Sequence, residues 1–146
     1  MRQKEGVALQ ADLEGRLGTV ETMAREVAQL APRAVEEYRT RLEERIAEMT
    51  RGVPLEPQRL VQEVAYFAER TDIAEEMTRL SSHLVQFRAL IASPEPSGRK
   101  MDFLVQEMHR EVNTTGSKSQ HPEISTRVVA MKAELERIRE QVQNVE

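Results

Sequence analysis

The chain has 146 residues, of which 39% are hydrophobic, 32% charged and 3% aromatic, with no cysteine. That rules out a disulfide scaffold, thiol catalysis and a Cys-based zinc site, and so few aromatics and glycines disfavour a β-sandwich. The 21 basic and 25 acidic side chains give a formal net charge of -4, and no third of the chain carries the basic excess of a stand-alone nucleic-acid binder.

Residues 8 to about 49 read as one long helix. Leu13, Leu17, Val20, Ala24, Val27, Ala31, Ala34 and Tyr38 alternate steps of four and three, and Leu42, Ile46 and Met49 extend the stripe. Pro32 lies inside this run and should bend it without breaking the phase. Arg51-Gly52-Val53-Pro54 then stops the helix. A second helical run is expected from Pro57 to Ile91, with Leu60, Val64, Phe67, Ala74, Met77, Leu84, Phe87 and Ile91 inward and weak points at Thr71 and Ser81. Residues 93–98, Ser-Pro-Glu-Pro-Ser-Gly, form the clearest loop. They separate the long-helix part from the helices that follow. A third helix is predicted from Arg99 to Thr115, ended by Gly116, with Met101, Leu104, Val105, Met108 and Val112 inward. The last begins near Pro122 and carries an unbroken seam of Ile124, Val128, Met131, Leu135, Ile138, Val142 and Val145. The expected fold is all-α, built from long antiparallel helices with coiled-coil-like seams. So long a striped helix calls for a partner, and self-association is expected. No apolar run approaches the roughly 18 residues of a membrane span. The start, Met1-Arg2-Gln3-Lys4-Glu5, lacks the apolar stretch of a signal peptide. The expectation is a cytoplasmic protein.

Two constellations could carry chemistry. Asp72, Glu76, Arg79 and His83 recur at steps of four, three and four, which on one continuous helix puts them on a single face. Two carboxylates and an imidazole so spaced suit a hard or borderline cation, and the imidazole could shuttle protons. Glu63, Glu69 and Glu75 add acid nearby. Arg79 among the would-be ligands favours the plainer reading of a solvated, ion-paired face. The second constellation is the polar surface of the third helix, from Arg99 and Lys100 through Arg110 to Lys118. It could grip phosphates or simply be soluble helix surface followed by a capping turn. His121 reads as a helix-start residue, His109 as surface decoration and the methionines as core filler.

Residues 98–107, Gly-Arg-Lys-Met-Asp-Phe-Leu-Val-Gln-Glu, closely resemble the C-terminal signature of the bacterial YicC/YloC family. So do Asn113-Thr114 with Gly116-Ser117-Lys118-Ser119, and the terminal run Ile138-Arg139-Glu140-Gln141-Val142-Gln143-Asn144-Val145-Glu146. Upstream, Gln62-Glu63-Val64, Asp72-Ile73-Ala74-Glu75-Glu76, Arg79-Leu80 and His83 match as well, and Lys4 to Leu9 fits the start of the family's helical half. Departures are His109 for a usual Asn, Val112 for Ala, Thr115 for a bulky aliphatic, and His121-Pro122 for an acidic or Asn start.

The resemblance implies a metal-dependent endoribonuclease that assembles into oligomers around RNA. It also implies an α/β region preceding the helical half, so residues 1–146 would be a single helical domain, the C-terminal half of a larger protein. It moves the Asp72–His83 stripe toward function. Asp72, Glu76, His83 and Glu63 become the expected ligands of Mn²⁺ or Mg²⁺, and Glu76, His83 and Glu107 the expected catalytic groups. Arg79, Arg99, Lys100, Arg110, Asn113 and Lys118 become the expected RNA contacts. A non-catalytic module that binds RNA, oligomerises and presents RNA to another nuclease is the alternative, and a purely architectural domain is a third possibility. The isolated chain is expected to bind RNA weakly and cleave it slowly or not at all until the missing region is added.

Overall fold

The computed structural model describes residues 2–51, 53 and 56–145. They form five helices: α1 (Arg2–Thr50), α2 (Pro57–Arg70), α3 (Ala74–Ala92), α4 (Gly98–Lys118) and α5 (Pro122–Val142), and no strand occurs among the described residues. The fold is all-α, as expected. None of these helices is long and apolar enough to cross a membrane.

The 49-residue α1 runs unbroken through Pro32, a length of about 70 Å at 1.5 Å per residue. Pro32 is exposed, so its ring meets solvent rather than a neighbouring helix. Arg51 ends the helix in the left-handed region at φ 50°, a conformation that closes many helix C-termini. Gly52 and Pro54, on which the expected stop rested, lie outside the described residues.

The amino-terminal two-thirds of α1 forms an antiparallel bundle with α3, α4 and α5. In it α3 packs on α4, α4 on α5, and α5 on α1, while α1 also touches α3. Each helix contributes its 4-3 stripe. Leu13, Leu17, Val20, Val27 and Ala34 are buried as predicted, joined by Leu30, and the α5 seam from Ile124 to Val142 is buried throughout. Arg16 to Glu134, Glu26 to Arg127 and Glu21 to Arg88 pair across the bundle edges at an antiparallel register.

Beyond Ala34 the stripe of α1 leaves the core. Leu42 and Ile46 are half-buried and Met49 is 76% exposed, in the part of α1 that runs alongside α2. The two helices make an arm beyond the bundle. No residue of α2 is buried. The rings of Tyr38 and Phe67 stack at its base, 3.8 Å apart and within 3° of parallel.

Three sequence expectations change. The run from Pro57 to Ile91 is two helices, broken at residues 71–73. Thr71 turns its hydroxyl back to the Phe67 carbonyl at 2.8 Å, and Asp72 accepts the amide of Ala74 at 2.9 Å. Such side-chain bonds to backbone compete with helix continuation. With the break, Ala74 is exposed, and Ile73 and Leu80 take the buried positions. Gly116 does not end the third helix, which continues to Lys118. A Cβ at Gly116 would stand 3.0 Å from Val128 Cγ1, so this glycine serves the close approach of α4 and α5. The loop is as expected, with the Ser97 hydroxyl capping α4 at the amide of Lys100.

Candidate functional site

The α3–α4 seam contains charge where the helical register calls for apolar side chains. Glu76 lies three residues after Ile73 and four before Leu80, both buried, so the turn of α3 carries its carboxylate inward. Glu111 lies likewise between Met108 and Thr115 on α4. These acids are only 2% and 6% exposed. Isolated carboxylates so buried would be costly, and cations from both helices compensate them. Lys118 Nζ lies 2.5 Å from Glu76 Oε1, and Arg79 reaches the same oxygen at 4.0 Å. Arg79 Nε donates to Glu111 Oε1 at 2.9 Å, with Glu75 at 3.6 Å on its outer side. The hydrogen bond to Glu76 raises the Lys118 ammonium above the usual lysine range, and that to Glu111 raises the Arg79 guanidinium. Glu76 Oε2 is buried with no hydrogen-bond partner among the described residues.

The structure brings together only part of the expected site. Asp72 precedes α3 and shares no helix face with the others. Its carboxylate caps Ala74, and its carbonyl lies 3.4 Å from Lys118 Nζ. His83 is half-buried on α3, with its Nδ1 buried and unpartnered among the described residues. Glu63 is exposed on α2, and Glu107 is half-buried on α4. Among the described residues no three His, Asp or Glu side chains converge where a metal ion could sit. Glu76 gives one oxygen to two cations, which counts against its use as a ligand. The residues present do not by themselves fit a divalent-cation centre.

The expected RNA contacts are also spread out. Arg99 and Lys100 begin α4 and Lys118 ends it, roughly 27 Å away along the helix. Arg110 and Asn113 border a groove between α4 and α5 that also holds Glu136 and Arg139. Asn113 donates toward His109 Nδ1 at 3.1 Å.

Sequence reasoning underused Glu111, whose signal was an acid on an apolar register. It missed a cleft of about 740 Å³ where the arm leaves the bundle. Arg41 from α1, Phe67 and Arg70 from α2, and Lys118, Ser119 and His121 from the α4–α5 turn line it. No pattern along the chain could have announced this meeting of three distant segments. His121 begins α5, as expected, but its ring is buried rather than a cap. Its Nε2 lies 2.7 Å from Glu37 Oε2.

Residues 27–146 match the family described as Endoribonuclease YicC-like, C-terminal. The chain is 42% identical over its whole length to the probable endoribonuclease YicC of Clostridioides difficile (strain 630), and 36% identical to that of Haemophilus influenzae (strain ATCC 51907 / DSM 11121 / KW20 / Rd). In each case it covers 50% of the relative, so the chain spans about half the length of the curated proteins it matches.

Proposed function

Because this chain belongs to the YicC-like endoribonuclease family, whose C-terminal part it matches, we propose that it forms the helical half of an enzyme that cleaves RNA internally at phosphodiester bonds. The observation that carries this reading within the fold is the Lys118–Glu76–Arg79–Glu111 network. Apolar residues of similar volume would usually serve stability as well as buried ion pairs do. Charges kept in such a seam point to work beyond folding. Glu76 and Glu111 fix the direction and the charge of Lys118 and Arg79, which are 40% and 49% exposed and so can face a phosphate. His83, with one ring nitrogen lacking a partner, is the group proposed to move a proton, and Glu107 is a further candidate. Arg99, Lys100, Arg110 and Asn113 extend the proposed RNA surface along α4.

A divalent cation, Mn²⁺ or Mg²⁺, belongs to this proposal for the complete protein. Its ligands would have to come partly from outside this chain, with exposed Asp72 and Glu63 as the carboxylates free to join them. The missing amino-terminal half is proposed as an α/β region that completes the enzyme in the cytoplasm, and homo-oligomer formation as its working state. Without that half, the isolated chain should bind RNA weakly and cleave it slowly or not at all. A non-catalytic module that presents RNA to another nuclease is the second reading. The lack of a converging ligand set among the described residues favours it.

Cleavage of a labelled RNA by the complete protein decides between them. The enzymatic reading expects chelator to abolish cleavage, and His83→Ala to lower it at least a hundredfold with unchanged helicity by circular dichroism. Cleavage that persists in chelator defeats the metal, and cleavage unchanged in His83→Ala defeats the proposed proton transfer.

A further inference from the structure

The cleft at the base of the arm is lined by four basic side chains, Arg41, Arg70, Lys118 and His121, and by no Asp or Glu among the described residues. Lys118 and His121 are compensated from behind by Glu76 and Glu37, which leaves Arg41 and Arg70 as the uncompensated charges of the cleft in a chain that is net negative. The α4–α5 groove, by contrast, sets Glu136 beside Arg110 and Arg139. Among the described residues, no carboxylate lies within ion-pair distance of Arg41 or Arg70, unlike Arg16, Arg88, Arg127 and Arg137. Arg70 instead lies over the Phe67 ring, 5.8 Å from its centre.

A second observation points to a ligand. The His121 side chain is only 8% exposed, and its Nδ1 is buried with no hydrogen-bond partner among the described residues. Nε2 faces Glu37, which fixes the ring from behind. The hydroxyls of Thr71, Ser117 and Ser119 also border the cleft. Unpaired guanidinium groups of Arg41 and Arg70 with serine hydroxyls beside them make a receptor for phosphate oxygens.

We propose that this cleft holds the phosphodiester backbone of a single RNA strand, with Arg41 and Arg70 as the principal phosphate contacts. The proposal rests on the endoribonuclease reading and gives it a strand-holding site that the sequence did not announce. Inorganic phosphate shares the chemistry, so the test separates the two sources.

A 2′-O-methyl oligouridylate 12-mer with a fluorescent label, which resists cleavage, is titrated with the 146-residue chain at a series of low salt concentrations. Arg41→Gln/Arg70→Gln is compared with Arg25→Gln/Arg137→Gln, which removes the same charge outside the cleft. Circular dichroism confirms that both retain their helices. The cleft variant should bind at least tenfold more weakly than the control. The slope of log affinity against log salt should flatten by about 1.4, as expected when two phosphates of a single strand are no longer neutralised. Equal binding by the two variants would overturn the proposal, and so would no measurable binding of the oligonucleotide by the parent chain. Inorganic phosphate that shifts the His121 ring resonances while the oligonucleotide does not bind would also overturn it, in favour of a small-anion site. Cleavage by the complete protein is measured separately, so the cleft can fail while the endoribonuclease reading stands.

Discussion

Lys118 and Glu76 form the closest charge contact across the α3–α4 seam, and their exposures are unequal. The carboxylate is buried while the ammonium is 40% exposed. Removing the cation therefore strands a desolvated acid, whereas removing the acid returns a lysine to water. We expect Lys118→Met to lower stability by about 1–3 kcal/mol, the cost of leaving a buried polar group without its partner. Glu76→Leu placed in that background should recover most of the loss, since an apolar pair can replace a buried ionic one. Urea unfolding of the two single variants and the double variant checks this cycle. Simple addition of the two losses would contradict it. Glu111 interrupts an apolar stripe in phase, whereas Glu76 stands out in the sequence by its spacing to Asp72, Arg79 and His83. The pairing of Glu76 with Arg79 three residues on follows from that spacing, but the partners on the facing helix do not. Lys118 and Glu76 lie on different helices, and only the packing of those helices reveals the pair.

Glycines separate helix propensity from packing at the scale of the elements. Gly15 and Gly18 lie within α1, and a Cβ at either would meet nothing within 4 Å. Alanine at either position should stabilise the fold by up to about 1 kcal/mol through helix propensity alone. Gly116 has the same propensity to gain, but its added Cβ would press on Val128, and overpacking of this kind costs about 1–3 kcal/mol. We expect Gly116→Ala to lower the melting temperature while Gly15→Ala and Gly18→Ala raise it. The same residue explains a boundary that the sequence misplaced. Glycine after a helical stripe signals a stop, yet here it permits two helices to close on each other. The split at residues 71–73 was foreshadowed by the weak point at Thr71 but not recognised. It depends on side-chain bonds to backbone, and the apolar rhythm continues across it from Phe67 to Ala74. Where stripes alone decide, as in α5, sequence and structure agree residue by residue.

At the scale of the whole molecule the arm is the part with least support. Met49 and Val61 are 76% and 61% exposed, and α2 buries no residue. A pair of helices with so little core depends on further packing, so we expect a second copy to cover the arm. Sedimentation at tens of micromolar should show an assembly larger than one chain, and Met49→Asp with Val61→Asp should shift it toward the monomer. A parent chain that sediments as a monomer would refute this. The junction of arm and bundle has another consequence. The stack of Tyr38 on Phe67 and the pairing of Glu21 with Arg88 run the two limbs antiparallel, and between these two contacts lie Pro32 on one limb and the break at residues 71–73 on the other. Pro32 cannot donate a backbone hydrogen bond and the other limb breaks at residues 71–73, so a bend of the arm is least resisted at these positions. Arg41 and Arg70 lie on the arm side of these positions, and Lys118 and His121 on the bundle side. A bend of the arm would alter the gap between the two sets of cations, so the proposed grip on a strand would be coupled to the angle of the arm.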